Sequence, residues 1–421
     1  MGTTNRSRKV IWLVNKHAVP LRFYASHART VKLAEQFQNR GYDVYIIGSS
    51  TVHNRDVDLI DDGSDFIHKE WDGVKFIHIK TRKYQRNGLS RILSFYEFVH
   101  KVSKYAHQFP RPDVVIHSSN IPFDVRIRNI AERLGAKYIV EVLDMWPDAF
   151  AAYGLIRRSS LPMKIMYQIE KRHYKKASNV VFSAEGGLQY LRDHKWDLES
   201  GGVIDMNKVH YINNGVDVDA FNKDKDEYVL EDEDLQSSNL FKFVYIGSIR
   251  LVNQLKLLID AAAKLKEHSN IVFLIFGDGP DRAPLEDYCK KHNITNVKFK
   301  NKWVEPQYVP YIMCMATVNV MNYKNKAEGH YGYSQNKLFQ SLASGRPICC
   351  NRGKRWSPIE KFGAGIDKEF ANEDEYAAAL LSFVDMPKEE YEQMCHNALA
   401  ASMSFDYKSH ALKYIEIIEK Q

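Results

Sequence analysis

The chain has 421 residues, 44% hydrophobic and 26% charged, which is ordinary globular usage and excludes a disordered, collagenous or low-complexity protein. At roughly 100–200 residues per domain, this length favours two or three domains over one. The net charge of +7 is unevenly placed: residues 1–200 hold 32 Lys+Arg against 21 Asp+Glu, leaving 27 against 31 for the rest. A basic half joined to a neutral-to-acidic half points to an anionic partner for the first half, either a membrane surface or a phosphate-bearing ligand. No nucleic-acid partner is expected. The five cysteines all lie at or after Cys289, and Cys349 and Cys350 are adjacent. That set is odd and clustered, unlike a secreted disulfide framework, and no Cys/His spacing suggests a zinc site. The start, MGTTNRSRKVIWLVN, lacks a signal-peptide core, and no stretch reaches the ~18–20 apolar residues of a membrane span. The expectation is a reduced, cytoplasmic protein, peripheral at the inner membrane face if it meets the membrane at all.

Short apolar runs alternate with helical patterns along the whole chain, as in βαβ units with parallel sheets. In chain order the strands are expected at 9–14, 43–47, 74–79, 113–117, 137–142 and 179–183. A second set follows at 208–212, 242–246, 271–276, 297–299, 316–320 and 347–350. The segment 222–239 (NKDKDEYVLEDEDLQSSN) carries a dense acidic run and reads as an exposed excursion near a domain boundary. The fold class expected is α/β, with two doubly wound domains meeting near residue 200 and facing one another across a cleft. Residues 1–200 are expected to form the first domain and 201–404 the second, with a terminal helix over 405–421. Such sheets bind ligands outside the carboxyl ends of their strands.

In the segment 333–350, Tyr333 and Ser334 read as a loop and an N-cap, followed by a helix of about two turns, a glycine stop and a strand. Ser334 as N-cap would put Lys337 at the third helical position, with Gln340 three residues on. A lysine at a helix start suits a diphosphate, although the segment equally reads as an ordinary capped helix. Gly247 ends a strand where a side chain would block a ligand, and Arg250 follows in the loop. Gly277 and Gly279 follow a buried strand and precede a helix. With Arg at 282 instead of a third glycine, a nicotinamide fingerprint is disfavoured. In 89–107, Leu89, Ile92, Leu93, Phe95, Val99 and Val102 fall largely on one helical side, with Arg91, Lys101 and Lys104 elsewhere. That pattern serves a domain helix packed on the sheet, or a basic amphipathic helix in a membrane interface.

Six segments in one order carry a family resemblance. They are HYINNGVD (210–217), YIGSIR (245–250), IFGDGP (275–280), NVKFKNKWVEPQYVPYI (296–312), YSQNKLFQSLASGRPI (333–348) and, in the first half, VEVLDMWPDAF (140–150). SHARTVKLAEQFQNRGYDV (26–44) adds a seventh. The chain resembles the retaining nucleotide-sugar glycosyltransferases of the GT-B architecture, family 4-like, a group with many bacterial surface-polysaccharide (capsule and O-antigen) enzymes. The resemblance implies two Rossmann-like domains, with the terminal helix over 405–421 crossing back to the first. It also implies a nucleotide-sugar donor, UDP- rather than GDP-linked, and a saccharide or lipid-linked saccharide acceptor. Neither a metal nor a cofactor is implied, the donor being a substrate.

By position, the resemblance sets Lys337 and Arg250 on the donor diphosphate, Trp303 and Val304 beside the nucleobase, and Gln340 at the ribose. Gly247, Ser248, Gly277, Gly279, Tyr333, Ser334, Asn336 and Glu328 line the same donor site. Asp144 orients the acceptor or sugar, and its alternative role is a turn residue. His27, Arg29, His117 and Trp146 fall on the acceptor side. The chain departs from the family where a Glu-x7-Glu pair is usual, since Gly332 and Gln340 stand there and Glu328 lies four residues early. Ser248 and Asn253 replace a usual Arg and Lys. Two rival readings follow: a nucleotide-sugar 2-epimerase of the same architecture, and a non-catalytic transferase homologue that scaffolds an active one.

Overall fold

The computed structural model describes residues 8–23, 28–53, 55–84, 88–119, 123, 125–152, 156–323, 331–332, 334–353 and 355–420. Within these, β-branched and aromatic runs form the strands, and the chain divides into two compact units. One unit contains the chain up to Asn213 together with the segment from Tyr407. The other is Asn214–Asp406.

Among the described residues the first unit holds an eight-stranded sheet. Its strands are β1 (Val10–Val14), β2 (Asp43–Ser49), β3 (Phe66–Trp71), β4 (Val74–Ile79), β5 (Val114–Ser118), β6 (Lys137–Val142), β7 (Asn179–Phe182) and β8 (Val209–Tyr211). They lie in the order β3-β4-β2-β1-β5-β6-β7-β8. All neighbours are parallel except β3 and β4. The second unit holds a six-stranded parallel sheet of β9 (Phe241–Ile246), β10 (Ile271–Phe276), β11 (Val297–Phe299), β12 (Val318–Met321), β13 (Ile348–Cys350) and β14 (Gly365–Asp367). Its order is β11-β10-β9-β12-β13-β14. The strand order reverses between β1 and β5 in the first sheet and between β9 and β12 in the second. These are the topological switch points where such sheets open a crevice for ligands.

Three expectations change. Strand β8 pairs in parallel with β7 (Val180 opposite Val209), so the first unit runs to Asn213 and does not end near residue 200. The acidic segment lies close to the boundary between the units and is largely exposed, as expected, but it is folded. It forms the helices Val218–Glu227 and Glu233–Gln236, Leu235 is fully buried, and Lys300 holds Asp232 at 2.7 Å and Asp234 at 2.6 Å. In the helix Leu89–Tyr105, Phe95, Phe98, Val99 and Val102 face the core, whereas Leu89, Ile92, Leu93 and Tyr96 are exposed.

The last helix, Tyr407–Glu419, places Tyr407, Ala411, Tyr414 and Ile418 at helical spacing into the core of the first unit. It lies there with Val31, Ala34 and Phe37 of the helix Ala28–Gln38, and the Tyr414 and Phe37 rings meet edge to face at 6.1 Å.

Candidate functional site

In the second unit, the switch point gathers the loop after β9, the loop after β12 and the start of the helix Asn336–Ala343. Gln335 caps this helix, not Ser334, and makes no side-chain cap bond. Lys337 is therefore the second helical residue, where the free backbone N–H groups and the helix dipole favour an anion. Asn214 fixes the approach to the helix, donating to the Ser334 carbonyl at 3.3 Å and to the Asn336 side-chain oxygen.

The Lys337 side chain runs back along the sheet end, and its ammonium sits 5.0 Å from the ring centres of both Tyr245 and Tyr323. The backbone at Gly247 has a φ of +149°, which glycine adopts freely, and a Cβ there would come into ordinary contact with this nitrogen at 3.6 Å. Burial brings the Lys337 pKa down to about 8. Among the described residues no carboxylate pairs with it, so the site is a desolvated cation without a counter-ion. Gly277 and Gly279 answer a different need. A Cβ at either would strike the Gly247 or Ile249 carbonyl at 2.0 and 2.1 Å. The two loops pack backbone to backbone there, with Ile249 N–H donating to the Asp278 carbonyl at 2.9 Å.

A hydrogen-bond lattice fixes the two switch-point loops. The Tyr245 hydroxyl donates to the Ser248 carbonyl at 2.8 Å, and Ser248 Oγ lies 3.3 Å from Asn253 Oδ1. Asn322, fully buried just after β12, donates to the Asn253 and Gln254 carbonyls at 2.8 and 2.7 Å. Asn351 clamps the Tyr323 backbone on both sides, at 2.7 and 2.9 Å. Arg250 stands exposed at the head of the turn Leu251–Asn253. Trp303 is 69% exposed in the loop after β11, while Val304 packs into the core cluster around Leu235. Gln340 lies half-buried on the same helix as Lys337. Tyr245, Tyr323, Asn322 and Asn351 escaped the sequence reading, because each sits within or beside an apolar strand and looks like core.

In the first unit the expected residues do not all converge. Asp144 is exposed just after β6, and the Trp146 ring meets Phe150 at 5.7 Å. His117 lies buried in β5, with Nδ1 2.9 Å from the Tyr138 hydroxyl, itself 3.2 Å from His173 Nε2. Arg29 is a correction: it lies inside the unit, not on an acceptor surface. Its Nε donates to Glu141 at 2.9 Å, and its other nitrogens reach the Ile212 and Asn213 carbonyls and the Tyr414 hydroxyl. Tyr414 and Ser118 also donate to Glu141, at 2.5 and 2.8 Å. Burial opposes both charges, yet each holds the other ionised, with Arg29 raised and Glu141 lowered from their ordinary ranges. His27, Tyr333 and Glu328 fall outside the described residues. Among those described, no group of three or more His, Cys, Asp or Glu is placed to hold a metal ion, and no helix is long and apolar enough to cross a membrane.

Two family models match in succession. Residues 25–215 match "Glycosyl transferase 4-like domain" and residues 230–400 match "Glycosyl transferases group 1". No curated protein is significantly similar in sequence. Among solved structures, a glycosyltransferase from Rickettsia africae is similar over 98% of both chains at 16% identity, with a TM-score of 0.63. Anabaena Alr3699/HepE, solved in complex with UDP and glucose, is similar over 99% of this chain and 100% of its own at 13% identity, with a TM-score of 0.65. WaaG, a glycosyltransferase involved in lipopolysaccharide biosynthesis, is similar over 98% and 100% at 13% identity, with a TM-score of 0.63. At these identities the likeness is one of fold, the two-domain α/β architecture of GT-B enzymes.

Proposed function

We propose that this chain, a glycosyltransferase by the two family models it matches in succession, moves a sugar from a nucleoside-diphosphate sugar to a saccharide acceptor with retention of anomeric configuration. The donor is UDP-linked in preference to GDP-linked, and the acceptor is a lipid-linked saccharide of surface-polysaccharide synthesis. The observation that carries this reading is the Lys337 ammonium, held between Tyr245 and Tyr323 over Gly247 at the switch point and the helix start. Cleaving the bond to the anomeric carbon leaves a nucleoside diphosphate, so the main chemical task is to stabilise negative charge as it develops. A preorganised cation and backbone N–H groups in a desolvated site do this with little reorganisation. Lys337 meets the diphosphate, Arg250 adds charge from the facing loop, Trp303 lies against the base, and Gln340 reaches the ribose. Asp144 orients the acceptor. Anabaena HepE, solved with UDP-glucose, supports the choice of donor.

A membrane-surface location is part of the same reading. It is supported by the outward Leu89, Ile92, Leu93 and Tyr96 on the helix Leu89–Tyr105, beside Arg91, and by the Arg126 guanidinium 4.8 Å over the Tyr96 ring. Apolar residues flanked by arginines suit an anionic lipid interface.

Calorimetry with UDP and UMP tests the reading. The protein should bind UDP, and Lys337→Ala should weaken that binding at least ~30-fold, about 2 kcal/mol, through loss of a charge-assisted phosphate contact. UMP binding should change far less. A folded wild type that binds neither UDP nor GDP would overturn the reading, and an unchanged UDP affinity in Lys337→Ala would remove this lysine from the site.

A further inference from the structure

The first sheet carries a buried cation at its own switch point, in the loop after β1. β1 ends at Val14, and the loop that leaves it, at the switch point against β5, is pinned on every side. Asn15 donates to Thr30 at 2.9 Å, the Ser49 N–H donates to the Lys16 carbonyl at 2.9 Å, and a Cβ at Gly48 would strike the Ala18 carbonyl at 2.2 Å. Lys16 is 2% exposed, and its ammonium has no hydrogen-bond partner among the described residues. Among the described residues two rings receive it: Phe95, with its centre at 4.7 Å, and Tyr84, at 4.9 Å.

Arg91 acts on this ammonium from the helix Leu89–Tyr105, while Glu97 of the same helix is already held by Arg82, through the backbone N–H at 2.8 Å and Nε at 2.7 Å. His17 lies 5.4 Å from Phe95 and 5.0 Å from His53, which in turn bonds the Tyr84 hydroxyl at 2.7 Å. An ammonium stripped of water and left without an acceptor weakens a fold. A position that serves packing alone is better filled by an apolar side chain.

We propose that the Lys16 ammonium is the anchor of an oxyanion site in the first unit, taking a phosphoryl or carboxylate group of the acceptor. This rests on the reading of the chain as a glycosyltransferase. The pinned loop sets where the lysine starts, and its four-methylene stem lets the ammonium swing from the ring pair to an oxyanion at the strand end. Arg91 adds to a field that favours an anion there.

The test follows the Lys16 side-chain resonance of the full chain by NMR, assigned by its loss in Lys16→Met. UDP is held saturating so that Lys337 does not report. Without added anion, burial together with Arg91, opposed by Glu97, sets the titration midpoint at about 7. Inorganic phosphate or acetate should raise it by at least about one unit, a tenfold gain in proton affinity. A response to phosphate alone assigns a phosphoryl ligand, and a response to acetate alone assigns a carboxylate. A midpoint unmoved by either anion overturns the proposal. Lys16→Met should melt no lower than wild type and should lose the anion-dependent rise in Tm. A lower Tm with the phosphate response intact would mark Lys16 as purely structural and also overturn it. Because the resonance belongs to Lys16, these outcomes are read whether or not UDP binds in the second unit.

Discussion

UDP affinity should fall steeply above pH 8, with Lys337 as the cause. Burial sets its pKa at about 8 in the free protein, and a diphosphate placed against the ammonium restores the charged form, raising that value toward or beyond the ordinary lysine range. The charged fraction then falls from roughly nine-tenths at pH 7 to one-tenth at pH 9, so affinity drops about tenfold, or ~1.4 kcal/mol, over two units. The window lies above the second ionisation of the terminal phosphate, near pH 6, so the ligand contributes little to the slope. At pH 8 the complex should take up about half a proton. Calorimetry in two buffers of different ionisation enthalpy counts that proton directly, and Lys337→Met should abolish both the uptake and the slope. An affinity that stays flat from pH 7 to 9.5, with no buffer-dependent heat, would refute the placement of the diphosphate on Lys337.

Three further outcomes follow from the first unit. Glu170 is fully buried and accepts from the Tyr174 and Tyr190 hydroxyls, both at 2.6 Å, yet burial still pushes its pKa from 4.5 to about 8. The folded state therefore holds a proton that the unfolded chain releases, and stability should decline as pH rises from 4.5 to 8, by on the order of several kcal/mol. Urea midpoints should show that slope in wild type and lose it in Glu170→Gln, and equal slopes would refute the assignment. Glu141→Gln leaves Arg29 as a buried charge without its anion, so it should cost about 3–5 kcal/mol by urea unfolding; a loss under 1 kcal/mol would show that the cluster does not tie down the last helix. Sedimentation with anionic vesicles should show binding that weakens as salt rises, because the attraction is screened within about 8–10 Å at 0.1–0.15 M. Ile92→Ser with Leu93→Ser should remove the salt-resistant remainder, and equal partitioning onto neutral vesicles would refute the electrostatic part.

Most of the sheet was legible because parallel strands buried on both faces read as continuous apolar runs, as in Ile271–Phe276, which is buried throughout. The edges were not. β3 (Phe66–Trp71) exposes His68, Lys69 and Glu70, and β14 has only three residues, so neither carries an apolar run. The domain boundary was misplaced because β8 looks the same whichever sheet receives it; only its pairing with β7 decides.

The site shows the same division. Gly247 and Lys337 stood out by spacing, whereas the tyrosines that enclose the ammonium did not, because an aromatic at a strand end is also ordinary core. Arg29 failed for the converse reason. A charged residue at the start of a helix reads as surface until Glu141, Tyr414 and two carbonyls, all more than 100 residues away, are seen to surround it. The acidic run was read correctly as exposed, but the pairing that orders it was not legible, since its partners Lys298 and Lys300 lie more than 60 residues downstream.

The central claim is that this chain cleaves a nucleoside-diphosphate sugar at the Lys337 site with retention. The most direct measurement is NMR of wild type and Lys337→Ala incubated with a panel of UDP- and GDP-sugars, reading nucleoside-diphosphate release and the anomer of the sugar first set free. The account predicts release from a UDP-sugar, an initial product with the donor's own anomeric configuration, and a rate at least ~30-fold lower in Lys337→Ala, about 2 kcal/mol of lost transition-state stabilisation. Release at equal rates from both proteins, or an initial product of inverted configuration, would contradict it.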